Sequence, residues 1–381
     1  MKYIEKLLPA AGVEWKKLGE VCKIKNGKSY KHLNDGDIPV YGSGGIMKYV
    51  DEAAYDSPSV LIPRKGSLKN LFYVETPFWN VDTIFYTEID VNQILPKYLY
   101  YFLATQKLEE LNLAGGVPSL TQTILNRLLI PIPPLHVQQE IVRILDKFTE
   151  LETELETELE LRKQQYERYR DQLLSPDKGL SETEVEWKKL GEVCQFKNGF
   201  AFKSSLFKES GLPIIRIGNI IGNSISMRDM AFFDPKDYKK GKPLSYFISK
   251  GDILIAMSGA TTGKIGYYDN EELAYLNQRV GKFIPNPITL NNRFLYHFLL
   301  TQSDYFYRLS LGGAQPNLSS DDLMERVLIP LPPLHVQQRI VSLLDKFHTL
   351  TTSISEGLPR ELELRKQQYA YYRDQLLAFE R

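Results

Sequence analysis

Three short stretches of this chain carry residues that could do chemistry. GATTGK at 259–264 imitates a phosphate loop, in which glycines open the backbone amides to phosphate and the lysine reaches the outer oxygens. Here three residues, not four, separate the glycines, and Ile265 stands where a Ser or Thr would hold magnesium, so nucleotide binding is not expected. Pro176-Asp177 followed by Glu186-Trp187-Lys188 imitates a nuclease carboxylate set that holds a metal. The same Glu-Trp-Lys stands at 14–16 without the Pro-Asp, which marks it as a repeated structural strand. His136 and His335 both sit in PPLHVQQ. A catalytic histidine needs a nucleophile and a carboxylate beside it, and the sequence offers no such trio, so both read as residues of a helix start. Two cysteines and five histidines make no metal-ligand cluster. No Asn-Pro-Pro-aromatic stretch occurs, so an adenine-methylation pocket is not expected either. The chain reads as non-catalytic.

The charge is balanced, with 47 basic and 47 acidic residues, which taken alone speaks against nucleic acid. Its distribution softens that reading. Residues 137–174 hold 10 acidic and 6 basic residues, so the parts outside this stretch are mildly basic. No run of 18 apolar residues exists, and MKYIEKLLPAAG is too short and too charged for a secretory signal. Cys22 and Cys194 occupy the same place in two LGEVC copies, which suggests duplication rather than a disulfide. A reducing, cytoplasmic setting is the expectation.

The elements that position these residues are themselves repeated. EWKKLGEVCKIKNGKSY at 14–30 returns as EWKKLGEVCQFKNGFAF at 186–202. IPIPPLHVQQEIVRILDKF at 130–148 returns as IPLPPLHVQQRIVSLLDKF at 329–347, and RKQQYERYRDQLL at 162–174 as RKQQYAYYRDQLL at 365–377. A period near 200 residues is too long for a solenoid and indicates two tandem domains of one kind. KYIEKLL at 2–8 echoes RYRDQLL, as if a third helix ended there, which suits a cyclic arrangement. The stretches between the matched blocks, 31–110 and 203–305, have little in common, so the frame was copied and the middles diversified.

Those middles read as mixed α/β. IPVYG, VLIPRKG, TIFYTEI, LPIIRIGNI, GDILIAMSG and KFIPNPI have strand character. LPKYLYYFLATQKLEEL and NNRFLYHFLLTQSDYFYRL read as one helix per copy, each followed by a Gly-Gly turn. IPIPPL and IPLPPL read as rigid connectors, because proline continues neither a helix nor a ladder. From Val137 to Leu174 no glycine or proline occurs, and Ile141, Ile144, Leu145, Phe148, Leu151, Leu155 and Leu159 form one apolar helical stripe. Its expected partner is the duplicate, Ile340 to Phe379, packed as an antiparallel coiled coil and broken near Gly357 and Pro359. Within the first helix, residues 149–160 read TELETELETELE. Four residues turn about 400° and rise about 6 Å, so one unit more or fewer changes helix length while nearly preserving the stripe. The stutter is either a solvated Glu-rich face or a ruler between two globular parts.

The tandem EWKKLGEV–KNG openings, the PPLHVQQ joints and the RKQQYxxYRDQLL endings resemble the specificity subunits of type I restriction-modification systems. The resemblance implies a mixed α+β (α/β) fold: two tandem target-recognition domains and two long helices as an antiparallel coiled coil, in a pseudo-twofold cyclic arrangement. The corresponding boundaries are 1–135 and 176–334 for the recognition domains, with 136–175 and 335–381 for the helices. It implies a subunit that binds double-stranded DNA and catalyses nothing. Each recognition domain would read half of a split, asymmetric target, and the helices would fix the unread gap and dock two methyltransferase subunits. S-adenosylmethionine would belong to those subunits, with no cofactor in this chain, and a motor-nuclease subunit would join for restriction. One TELE unit, about 6 Å, is just under two base pairs of about 3.4 Å.

DNA contact needs Arg, Lys, Asn, Gln and Ser/Thr toward base edges and phosphate. In the first copy the candidates are Lys25, Asn26, Lys28, Tyr30, Tyr41, Ser43, Arg64, Lys65, Lys69 and Asn80. In the second they are Lys197, Asn198, Lys203, Arg216, Asn219, Ser258, Thr261, Thr262, Lys264, Asn277, Gln278 and Arg279. Glycine-rich loops among them either admit phosphate to the backbone or simply make turns. The competing reading is a duplicated coiled-coil adaptor that binds only proteins.

Overall fold

The computed structural model describes residues 12–111, 119–175, 185–239, 241–312, 315–353 and 356–379. The helix-tail echo at 2–8, the Pro176-Asp177 pair and the first Gly-Gly turn lie outside the described residues. The chain divides into two compact units, Met1–Thr157 with Glu361–Arg381, and Glu158–Arg360. Each unit therefore holds a globular part and pieces of both long helices.

The first unit runs β1 (Glu14–Lys17), α1 (Leu18–Val21), β2 (Cys22–Asn26), β3 (Ile38–Gly42), β4 (Gly45–Val50), β5 (Ser59–Pro63), β6 (Phe72–Val74), β7 (Trp79–Asn80) and β8 (Ile84–Ile89). There follow α2 (Pro96–Thr105), α3 (Gln122–Asn126), β9 (Leu129–Ile132) and α4 (Leu135–Leu173). The second unit runs β10 (Glu186–Lys189), α5 (Leu190–Val193), β11 (Cys194–Asn198), β12 (Leu212–Ile215), β13 (Ile220–Ile221), β14 (Ser224–Ile225), β15 (Ala231–Phe233), β16 (Phe247–Ile248) and β17 (Ile253–Ala256). It continues through β18 (Ile265–Tyr267), β19 (Ala274–Leu276), β20 (Val280–Pro285), α6 (Asn292–Thr301), α7 (Ser303–Leu309), α8 (Ser320–Arg326), β21 (Leu328–Leu331) and α9 (Leu334–Thr352), and α10 (Leu358–Leu376) then belongs from Glu361 onward to the first unit.

The diverged middles share one topology. In the first unit the sheets order as β2-β8-β5-β6 and β4-β3-β7. In the second they order as β11-β20-β17-β18-β14-β13 and β15-β12-β19-β16. The lesser sheet of each contains one parallel pair, β3 with β7 and β12 with β19. Strands β13, β14 and β16 are additions to the second copy. The cores are apolar strand faces closed by α2 or α6: Tyr98, Leu99 and Leu103 in one, Phe294, Leu295 and Leu299 in the other, are fully buried. Cys22 and Cys194 are free and buried, and burial pushes each thiol up to about 12, which makes them inert packing residues.

The proline-rich joints are not mere connectors. Pro131 sits in β9 opposite Trp15 of β1, and Pro330 sits in β21 opposite Trp187 of β10. Each pair is an isolated two-stranded ribbon, so every strand keeps a free edge where a missing N–H costs nothing. Immediately afterwards a buried glutamine latches each long helix. Gln138 accepts from Leu95 N at 2.8 Å and donates to Gln93 O and Pro133 O at 2.9 and 2.8 Å. Gln337 repeats this, accepting from Asn291 N at 2.8 Å and donating to Thr289 O and Pro332 O at 3.0 and 2.8 Å. The latch ties the start of the long helix to the start of α2 or α6. His136 and His335 lie beside it in the first helical turns.

α4 is continuous over 39 residues, including the whole TELE stutter. The Thr149, Thr153 and Thr157 hydroxyls each donate to the carbonyl four residues earlier, Leu145, Thr149 and Thr153. In the first unit α4 pairs with α10 antiparallel: Phe148 stacks on Tyr372 at 5.3 Å, and farther along Glu156 meets Lys366 at 2.7 Å. In the second unit the later part of α4 pairs with α9, with Tyr169 on Phe347 at 5.4 Å and Tyr166 near His348 at 6.1 Å. The expected break falls between α9 and α10. A Cβ at Gly357 would lie 2.6 Å from Thr349 O, and Pro359 occupies the second position of α10.

Candidate nucleic-acid interface

In the first unit the loops after β2, β3, β5 and β7 meet at one rim. Lys28 N donates to Asn80 O at 2.8 Å, and Val81 N to Tyr41 O at 3.0 Å. Arg64 N and Lys65 N both donate to Thr83 O, at 2.9 and 3.2 Å. Ser43 N donates to the Thr83 hydroxyl at 3.3 Å, and Asn70 Nδ2 to Ser43 O at 2.9 Å. These bonds gather Lys28, Ser43, Arg64 and Lys65 and leave the two lysine side chains exposed. Gly27 is required at the crossing, since a Cβ there would lie 2.1 Å from Val81 O. The glycine of KNG lets two segments of the chain's own backbone cross closely.

The second unit builds the same rim from different residues. Gly199 replaces Gly27, with its Cβ position 2.0 Å from Asn277 O. Phe200 N donates to Leu276 O at 2.8 Å, Asn277 N to Ile215 O at 3.0 Å and Met257 N to Arg279 O at 2.8 Å. Gly259, at φ +85°, turns the loop after β17 as Gly66, at φ +82°, turns the loop after β5. Ser258 bridges to Asn317 as Lys65 bridges to Ser119. The GATTGK loop therefore lies at the rim as a sheet-end turn, with Thr262 Oγ1 donating to Gly259 O at 2.6 Å.

The two rims match in main-chain bonding and differ in side chains, on a duplicated frame. The profile of the type I restriction modification DNA specificity domain matches residues 11–161 and again 182–364. The chain belongs to this family. It is 33% identical to the EcoR124I/EcoR124II specificity subunit of Escherichia coli over 100% of this chain and 97% of that one. It is 35% identical to a protein of Haemophilus influenzae named as a type I restriction enzyme specificity subunit, over 99% and 98% of the two lengths. The fold resembles the crystal structure of the type I S subunit from M. genitalium, with a TM-score of 0.61, 19% identity and 98% of each chain covered.

Within this specificity subunit, the predicted residues fall into three groups. Asn26, Lys28, Lys65, Lys69, Asn198, Lys203, Lys264, Gln278 and Arg279 are exposed. Lys69 lies 3.7 Å from Glu109. A second group is half-buried and partly engaged. Lys25 faces Glu88 at 3.4 Å, Tyr41 packs on Phe72 at 5.7 Å, and Tyr30 joins a small core with Val40 and Trp79. Lys197 Nζ donates to Ser245 O, and Arg216 donates to Asp229 O at 3.1 Å while lying over the Phe207 ring. Ser43, Arg64, Ser258 and Thr261 are likewise half-buried at the loops.

The structure corrects the expectation at Asn80, Asn219, Thr262 and Asn277, which are buried. Asn80 Nδ2 donates to Ile84 O at 2.8 Å, and Asn219 accepts from Arg216 N at 3.0 Å while donating to Ser226 O and Arg228 O. Asn277 accepts from Arg279 N at 3.3 Å. These side chains hold the loops that carry their neighbours. Sequence reasoning missed Asp82 and Thr83, which share the rim; WNVDT and YLNQR occupy one structural place without an aligned identity.

Proposed function

We propose that each unit reads one half of a bipartite, asymmetric site on double-stranded DNA. The observation that supports this is the pair of rims, matched in backbone hydrogen bonding and different in side chains. A protein-only adaptor would have no use for such paired variation. The long helices fix the unread gap between the halves and dock two methyltransferase subunits. Methyl transfer from S-adenosylmethionine and DNA cleavage by a motor-nuclease take place in those partners, in the cytoplasm. Among the described residues no His/Cys/Asp/Glu group could hold a metal ion, and no helix is long and apolar enough to cross a membrane.

The test is a methylome. The chain is expressed with its cognate methyltransferase subunit in a host lacking adenine methylation, and modified adenines are mapped. A single split motif with a fixed gap is expected. Removing one TELE unit, residues 153–156, should shorten the gap by one or two base pairs and leave both halves intact. Methylation without this chain, or without a split motif, would defeat the reading.

A further inference from the structure

Because the backbone of the two rims is the same, each position in one has a counterpart in the other. Arg64 N donates to Thr83 O at 2.9 Å, and Met257 N to Arg279 O at 2.8 Å. Leu120 N donates to Arg64 O at 2.8 Å, and Leu318 N to Met257 O at 2.7 Å. Ile84 N donates to Val81 O at 3.1 Å, and Val280 N to Asn277 O at 2.8 Å. Hence Asp82 corresponds to Gln278, and Thr83 to Arg279. The side chains at these stations have opposite chemistry. Asp82 is exposed beside Arg64 and Lys65, and among the described residues no cation pairs with its carboxylate. A free carboxylate on a surface that meets phosphate is repelled unless it meets a donor. Gln278 and Arg279 are both exposed and offer donors.

We propose that Asp82 in the first unit, and Gln278 with Arg279 in the second, are specificity-determining residues that read base edges in their respective halves. This rests on the DNA-reading function above. A carboxylate accepts only, which fits the amino group of cytosine. An arginine fork fits O6 and N7 of guanine, and a glutamine amide fits adenine. The turn carrying each residue is held by main-chain bonds and by Gly27 or Gly199, so the side chain can change without disturbing the loop.

The experiment maps methylation for the wild type, D82N and R279Q, each with the cognate methyltransferase subunit, and checks folding by thermal melting. The expected result is a relaxed C·G position in one half for D82N and a relaxed G·C position in the other half for R279Q. Each relaxation should be roughly tenfold or more. A split motif in the wild type with both halves unchanged in either variant overturns the assignment and leaves the DNA-reading function standing. So does action of both variants on one half, or a folded variant that methylates nowhere. No split motif in the wild type defeats the function itself and this assignment with it. If either variant fails to fold, D82S or R279K takes its place under the same outcomes.

Discussion

Replacing Gln337 by leucine tests whether the latch, rather than the long helix's apolar stripe alone, fixes the helix to its globular part. The side chain is fully buried and makes three hydrogen bonds. Leucine keeps the volume and removes all three. The chief penalty is the Asn291 N–H, left unpaired at the start of α6, at about 1–3 kcal/mol. Two carbonyls lose a donor and add about 1 kcal/mol between them. The sum is roughly 2–4 kcal/mol. For a unit of this size each kcal/mol moves the midpoint by about 2–4 °C, so Q337L should melt about 5–15 °C lower in its second unit. Differential scanning calorimetry of the full chain measures this, with Q338L as control. Gln338 is exposed and makes one bond, to Asn291 Nδ2 at 3.0 Å, so its loss should cost under about 1 kcal/mol. If Q337L melts no lower than Q338L, the latch reasoning is wrong.

Acid should weaken the second unit selectively. Burial pushes His348 down to about 4 and also lowers His297, although Asp345 Oδ1 lies 2.7 Å from His297 Nε2. Arg293, Asp345, Tyr166 and Tyr296 surround the pair, with Arg170 a more distant like charge. Unfolded histidines bind protons near pH 6.5, so stability is full above that pH and falls as pH drops toward 4. The first unit has Tyr101 and Thr149 in their places, with Tyr101 donating to Asp146 at 2.6 Å. Urea midpoints between pH 7 and 5 should fall for the second unit only, and H297Y/H348T should flatten that dependence. G199A should destabilise the second unit by about 1–3 kcal/mol or more, because the added carbon meets backbone rather than a movable side chain; a neutral midpoint would refute the close crossing. DNA affinity of the methyltransferase complex should fall steeply with salt, and K65A should lower the log–log slope by about 0.9 if Lys65 meets a phosphate, with no change if it does not.

The parts of this molecule legible in the sequence are those where the same words recur. The openings, the joints and the helix ends announced the duplication, and Gly357 with Pro359 announced the break. The equivalence of the middles was hidden because it resides in the main chain. Met257 and Arg64 share a station with no chemical likeness, and the signal that aligns them is a left-handed glycine two residues on. Asparagines misled for a related reason. Their short amides suit base edges and buried turns equally well, and only burial separates Asn80 from Asn26. The glutamine of PPLHVQQ was conspicuous and unread, because a latch is visible only when the carbonyls it meets are in place.

This division of labour bears on how such a protein can change its target. Glycine crossings, buried asparagines and main-chain bonds fix the rim, while exposed side chains at 65, 82, 278 and 279 make few internal bonds. Surface substitutions away from caps, buried networks and strained glycines usually alter stability by under about 0.5 kcal/mol. On the proposed reading, exchanging one of these exposed residues alters recognition without threatening the fold, whereas exchanging a framework residue threatens both. Length changes in the stutter obey the same logic, since a four-residue step carries threonine, glutamate and leucine to nearly the same faces of α4. On the proposed function, target letters and target gap would then be set by features that can vary separately, on a frame whose copies cannot.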